Sequence, residues 1–333
     1  MRGAHSWLLP ATGLVCVLAA QCSAAGERSA QAWLEQMNQA FVSTSYDGIF
    51  SYYSGNDLST LRVVHTVRDG IQRERLVHLN GAPREIVRTG DQVVCILQPG
   101  DEILALEGSI PSGPFARAFS KAFEGASEFY SMSLDGVDRV ADREAVRVAV
   151  MPRDEDRYGF RLWLDAATGL LLRSELIDMK GAKLEIFQFA IVRIGEPVSD
   201  ADLTPDAREG AHTSRLELDA APAPAEDHPQ WQAGWLPAGF KMAAADIRRT
   251  PESSEAVHTL MYSDGLAVFS VFIESLSTAG AANLISRSGA TVAVTETVAG
   301  GPDQSNHLVT VVGEIPTATA QRIARSVHYP GDD

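Results

Sequence analysis

The sequence predicts an α+β protein: a large N-terminal half-open antiparallel β-barrel with capping helices, followed by a smaller C-terminal α+β domain. Three observations carry this. From Tyr46 to Ile194 apolar residues recur with a period of two, and turn residues interrupt them at short intervals. Helical spacing in this half is confined to short stretches around Trp33 and Phe119. Residues 207–230, rich in alanine and proline, then separate the long half from a short one.

The chain begins with Arg2, a mainly apolar run from Trp7 to Ala20 and the small residues Ser23-Ala24-Ala25, the pattern of a secretory signal ending near residue 25. That run is shorter than the roughly 20 residues a spanning helix needs, so an exported, soluble mature chain is expected. Gln21 before Cys22 argues against lipoprotein processing. Cys16 and Cys22 leave with the leader, and Cys95 alone cannot build a disulfide framework. Within Val93-Val-Cys-Ile-Leu97 it reads as a small buried hydrophobe.

The whole chain carries 28 basic and 43 acidic residues, a net charge of −15, and losing Arg2 with the leader moves it one unit further negative. Such a surface repels nucleic acid at long range and makes a DNA-binding role improbable.

The organisation expected is therefore a signal peptide over 1–25, a large domain over 26–206, a linker over 207–230 and a small domain over 231–329. Ser29 can cap a first helix that presents Ala30, Trp33, Leu34, Met37, Ala40 and Phe41 on one stripe and ends near Val42. A meander follows, with turns at 55–57, 69–70, 80–81, 90–91 and 99–101. After Pro114 a second helix places Phe115, Ala118, Phe119, Ala122 and Phe123 together. The meander resumes from Val137 to Ile194. In its last strand, alternation puts Leu184, Ile186, Ala190 and Val192 on one face and Phe187, Phe189 and Ile191 on the other, so both faces need cover. A curved sheet with an apolar concave face holds either core side chains or an acyl chain.

The most concentrated charge lies in Arg73-Glu-Arg-Leu-Val-His-Leu-Asn-Gly-Ala-Pro-Arg-Glu-Ile-Val-Arg88, where Asn80-Gly81 suits a tight hairpin turn. Alternation sets Ile71, Arg73, Arg75 and Val77 on one face of the first arm and Arg84, Ile86 and Arg88 on one face of the second. Arginine stays protonated and makes a poor general base, so this hairpin points to recognition, or to cross-strand pairs with Glu74 and Glu85, and not to chemistry.

In the second domain, residues 256–262 and 266–274 flank Ser263-Asp264-Gly265 as a hairpin, strands follow over 290–298 and 307–313, and a closing helix sets Ala320, Ile323, Ala324 and Val327 on one stripe. Trp231, Trp235 and Phe240 read as core and domain-junction packing.

Of the eight histidines, seven follow the leader, scattered and without metal-binding spacing; His65 and His78 are placed to face each other across neighbouring strands, as satisfied structural groups. There is no Gly-x-Ser-x-Gly elbow, no phosphate-binding glycine loop and no base near Cys95 in sequence, and Asp154-Glu-Asp156 reads as a solvated turn. Neither enzyme activity nor a metal or cofactor is expected.

Four stretches together resemble the RseB/MucB family: Asn80-Gly-Ala-Pro-Arg-Glu-Ile-Val-Arg88, Trp235-Leu-Pro-Ala-Gly-Phe240, Tyr262-Ser-Asp-Gly-Leu266, and Val312-Gly-Glu-Ile-Pro316 with Ala320-Gln-Arg-Ile-Ala324. The resemblance implies an N-terminal domain similar to the lipoprotein carriers LolA and LolB, and a periplasmic negative regulator of a sigma-E type, AlgU-like envelope stress response. Family members bind the periplasmic part of a membrane-spanning anti-sigma factor of the RseA/MucA kind and shield it from the site-1 protease; lipopolysaccharide or another envelope lipid competes. On that reading the partner-binding residues are Arg73, Arg75, Arg84, Arg88 and Trp235, and the lipid cavity is lined by Phe50, Tyr52, Phe119, Trp163, Phe187 and Phe189. The alternative is a periplasmic lipid or lipoprotein carrier, which has no evident need of residues 231–329. Self-association is left open by the sequence.

Overall fold

The computed structural model describes residues 28–90, 92–97, 128–206, 212–217, 231–249, 256–276, 283–301 and 305–330. The leader, the helix expected after Pro114 and Phe119 itself lie outside these residues.

Helix α1 (Ala30–Ser43) forms as its stripe requires: Ser29 Oγ accepts from Ala32 N–H at 3.2 Å, and Trp33, Leu34, Met37, Ala40 and Phe41 are buried. The meander after it comprises β1 (Tyr46–Ser54), β2 (Asp57–Arg68), β3 (Ile71–His78), β4 (Glu85–Thr89), β5 (Gln92–Leu97), β6 (Tyr130–Val140), β7 (Arg143–Pro152), β8 (Gly159–Asp165), β9 (Leu171–Ile177) and β10 (Lys183–Ile194). A short helix α2 (Asp200–Leu203), capped by Ser199, precedes β11 (His212–Glu217). These strands form one 11-stranded antiparallel sheet in the order β11-β5-β4-β3-β2-β1-β10-β9-β8-β7-β6. The pairing of β1 with β10 joins the two arms of the meander, and β6 and β11 stay apart as edges, so the sheet is open.

Two expectations are corrected here. His212–Glu217, inside the stretch assigned to a linker, adds a strand to β5 in the register His212↔Leu97 to Glu217↔Gln92. The edge of β5 presents unpaired backbone donors and acceptors, and an extended chain passing alongside satisfies them whatever its composition. The second correction concerns β10. Its register against β1 shifts between Ile49 and Phe50, so Phe187, Phe189 and Val192 are all buried in the core while Ile191 is 65% exposed. A bulge inserts a residue and changes the parity of everything beyond it, which strict alternation misses.

The core lies on the α1 side of the sheet, where Leu34 and Met37 meet Phe50, Leu61, Leu162 and Phe189 among other buried residues. Gly48 is required there: a Cβ would sit 2.6 Å from the Phe189 ring and 2.7 Å from Ile191 O.

The C-terminal domain is a six-stranded antiparallel sheet of β13 (Lys241–Arg249), β14 (Ala256–Ser263), β15 (Val268–Ser275), β16 (Ile285–Ser288), β17 (Thr291–Gly300) and β18 (Ser305–Gly313), ordered β13-β14-β15-β18-β17-β16. Helix α3 (Thr317–Ser326) buries Ala320, Ile323 and Ala324 against it, over Val271, Val292, Val294, Val309 and Val311. A two-stranded ribbon of β12 (Gln232–Ala233) and β19 (Val327–His328) ties the start of the domain to its end. Among the described residues no helix is long and apolar enough to cross a membrane.

Candidate functional site

The arginine hairpin exists, but its arginines do not share a surface. Leu79–Arg84 connects β3 to β4 as a loop wider than a two-residue turn, because Asn80 is drawn towards β2: its Oδ1 accepts from Thr60 N–H at 2.6 Å and its Nδ2 donates to Leu58 O at 3.1 Å. In the resulting register Arg75 pairs with Val87 and Arg88 with Glu74, so Arg73 and Arg75 stand on one face of the sheet and Arg88 on the other. Arg75 is buried, its Nε donating to Glu85 Oε2 at 2.9 Å and its Nη2 lying 3.2 Å from Asp206. On the same face the α2 carboxylates meet the neighbouring cations: Asp202 holds Arg62 at 2.8 Å, and Asp200 holds Arg68 at 2.5 Å and lies 3.9 Å from Arg73. Arg88 is buried on the core side and donates to Gln72. Arg84 is half-buried at the loop end, where His78 N–H donates to its carbonyl.

His65 and His78 share a face but not a pair; His65 lies opposite Glu74 and His78 opposite Leu61. His65 stacks on Tyr46 at 4.9 Å, with Nδ1 3.0 Å from Thr44 O, and burial lowers its pKa. Cys95 is buried, and burial raises its pKa.

Of the aromatic residues assigned to a lipid cavity, four come together. Phe50, Phe187 and Phe189 pack at centroid distances of 4.8 to 5.9 Å, and Tyr52 pairs with Phe187 on the same face while its hydroxyl donates to Glu185 at 2.6 Å. Trp163 belongs to the same buried cluster but sits at the opposite strand parity. It pairs with Arg147 and Arg173, the opposite parity from Leu162, whose partner Ser174 faces Phe187. The Arg173 guanidinium sits 4.7 Å from its ring, and its Nε1 donates to Asp138 at 3.0 Å. A run of apolar residues in β8 hid this, since Leu162, Trp163 and Leu164 are all buried.

The junction between the domains is polar, and sequence reasoning did not find it. Arg157, in the turn between β7 and β8, reaches Asp264 of the β14–β15 turn at 2.5 Å, with both side chains wholly buried. Arg157 also donates to Ala238 O at 2.6 Å and lies within 5.5 Å of the Phe129, Tyr130 and Phe240 rings. Tyr130 Oη donates to Asp264 at 3.0 Å, Tyr158 Oη to Ile315 O at 3.1 Å and Thr319 Oγ1 to Asp156 at 2.9 Å. Asp154-Glu-Asp156 is thus part of a contact and not merely a solvated turn: Asp154 accepts from Arg157 Nε at 3.0 Å. A second contact centres on Glu185, which accepts from Ser54 Oγ and from Ala290 N–H, each at 3.1 Å. The available signal was Asp264, inside Tyr262-Ser-Asp-Gly-Leu266.

Trp235 packs within the C-terminal domain. Its N–H donates to Ser326 Oγ at 3.1 Å, and the Arg322 guanidinium carbon lies 3.7 Å from its ring centroid. Trp231 and Phe240 are buried, as core and junction packing requires. Among the described residues no cluster of histidine, cysteine and carboxylate side chains has metal-binding geometry.

An open antiparallel sheet joined through a charged junction to a small sheet-and-helix domain defines a class of two-domain, open-sheet proteins. Within that class the chain belongs to the MucB/RseB family: residues 29–207 match the MucB/RseB N-terminal domain and residues 225–328 the C-terminal domain. It is 38% identical over 323 residues to the sigma factor AlgU regulatory protein MucB of Pseudomonas aeruginosa, covering 97% of this chain and 96% of that one. To the sigma-E factor regulatory protein RseB of Escherichia coli it is 27% identical over 299 residues, 90% of either chain. A solved structure of the P. aeruginosa MucA/MucB complex matches 90% of this chain and 98% of its own at 35% identity, with a TM-score of 0.74.

Proposed function

We propose that this protein is a periplasmic regulator that binds the periplasmic part of a membrane-spanning anti-sigma factor, protects it from site-1 proteolysis and releases it when an envelope lipid signal arrives. The observation that carries this reading is the match across both domains to MucB as it occurs in a complex with MucA. Both domains and the contacts between them are needed on this view, which favours a regulator over a simple carrier.

The lipid side of the reading rests on the face of the large sheet that carries Phe50, Tyr52, Phe187 and Phe189. These rings pack against each other and belong to the same core as α1, so an acyl chain competes with internal packing and binding is coupled to a change of conformation. A ligand that favours a conformation unable to hold the partner weakens partner binding by the reciprocal factor.

The test is a titration of the mature protein with the periplasmic segment of the anti-sigma factor from the same organism. Micromolar or tighter binding, slower cleavage of that segment by the site-1 protease, and release by lipopolysaccharide are the expected results. No binding at micromolar protein removes the partner; unchanged affinity at saturating lipopolysaccharide removes the lipid step.

A further inference from the structure

The outer face of α3 and the segment following β12 enclose a shallow groove of about 400 Å³, lined by Trp235, Ala318, Gln321, Arg322, Arg325 and Ser326. Its floor is fixed by backbone bonding. Gly234 N–H donates to Ser326 O at 2.8 Å and Trp235 N–H to Ser326 Oγ at 3.1 Å, while Ser326 Oγ donates to Ile323 O at 2.8 Å. A Cβ on Gly234 would lie 2.7 Å from Ser326 O, so the close approach of the two segments depends on glycine.

Two cations stand over this floor with different commitments. Arg325, in the last turn of α3, donates to Glu296 at 3.0 Å and suits the negative end of the helix dipole. Arg322 lies before that turn and is held by the Trp235 ring at 3.7 Å, within cation–π range. Among the described residues it has no carboxylate within ion-pair distance. A guanidinium stacked on an indole keeps a planar fork of N–H donors free and already positioned, so little freedom is lost when a carboxylate docks. In a chain of net charge −15, an exposed, prearranged arginine beside a half-neutralised one is a local reversal of sign.

We propose that this groove seats an acidic segment of the partner, a carboxylate taking the Arg322 donors while the adjoining chain lies along Trp235. The inference rests on the reading that the protein binds an anti-sigma factor and adds the place and the chemistry. A membrane surface fits less well, because the groove is concave and local whereas the whole chain repels anionic lipid.

The experiment is calorimetric titration of the mature protein and of Arg322→Gln and Arg322→Lys with the same periplasmic segment, at low and at moderate salt, beside thermal melts. Arg322→Gln is expected to weaken binding about tenfold or more and to flatten its salt dependence, with the melt lowered by at most a few degrees because the side chain is exposed and loses only its stacking on Trp235. Arg322→Lys is expected to recover only part of the affinity, since lysine lacks the stacked fork. Equal affinity for the unaltered protein and Arg322→Gln overturns the groove assignment and leaves the regulator reading standing. No binding by the unaltered protein overturns both. Arg322-dependent sedimentation with phosphatidylglycerol vesicles, without loss of peptide affinity, assigns the groove to lipid and also overturns the proposal.

Discussion

Arg157 and Asp264, 107 residues apart in sequence, form a 2.5 Å ion pair that is closed to solvent on both sides and joins the two domains. Two charges are removed from water together; Arg157 also donates to the Ala238 carbonyl and to Asp154, and Asp264 also accepts from the Tyr130 hydroxyl and from the Leu266 and Ala267 N–H groups. Removing Arg157 leaves Asp264 buried without a cation, whereas Arg157 still meets Asp154 when Asp264 is replaced. Arg157→Met is expected to destabilise the protein by about 3–5 kcal/mol and to split a single unfolding transition into two, and Asp264→Asn to cost less because Asp154 remains on Arg157. Calorimetry of the full mature chain checks this; a single transition with an unshifted midpoint refutes it.

The arginine hairpin makes a contrast inside one strand. Arg75→Gln breaks the buried pair with Glu85 and is expected to cost about 3 kcal/mol or more. Arg73→Gln, whose side chain is 42% exposed and whose carboxylate partner is 3.9 Å away, is expected to change stability by less than about 0.5 kcal/mol. Urea melts of the two variants decide it, and equal losses would contradict the placement of the two side chains.

Gly48→Ala is expected to cost about 1–3 kcal/mol, because the new methyl group meets the Phe189 ring and the Ile191 carbonyl opposite the bulge. Phe189→Leu in the same background should recover part of the loss, and an unchanged denaturation midpoint for Gly48→Ala counts against the packing described.

Stability is expected to fall as pH drops below about 6.5. Burial lowers the pKa of His65 and of His78 from the usual 6.5, so the unfolded chain takes up protons there while the folded one does not. The stabilisation is complete above the unfolded value and is lost as pH descends towards the folded ones. Each histidine contributes a slope of at most about 1.4 kcal/mol per pH unit. His65→Phe, which keeps a ring beside Tyr46, should flatten the dependence, and an identical pH profile would refute the assignment. Carboxylates extend the loss at lower pH: hydrogen bonds from Arg62 hold Asp47 below its usual range, and for Asp165 those from Arg143 and Thr168 outweigh the raising effect of burial.

Much of the fold is legible along the chain because it depends on neighbours. The Ser29 cap and the stripe of α1, the Ser263-Asp264-Gly265 turn and the Ala320–Ala324 stripe of α3 are properties of short windows, and the structure places them as expected. Harder to see was which face a strand residue takes beyond an irregularity: Ile191 points outward and Val192 inward only because β1 and β10 shift register at Phe50. Residue type groups Trp163 with the phenylalanines, and it shares their buried cluster, but its pairing with Arg147 and Arg173 gives it the opposite strand parity and a guanidinium neighbour.

What the sequence by itself determined was an acidic chain with a leader-like start, a meander of short strands, a second sheet-and-helix unit and the stretches that mark the MucB/RseB family. The family stretches are a resemblance; the other features follow from composition and from periods of two and 3.6, which act within a few residues. Only the tertiary structure decided that α2 carboxylates cover the arginine face, that β11 extends the large sheet, that Arg157 meets Asp264 and that Arg322 stacks on Trp235. Each of these joins groups brought together by strand register and domain packing, and a buried charge finds its partner through space, wherever along the chain that partner lies.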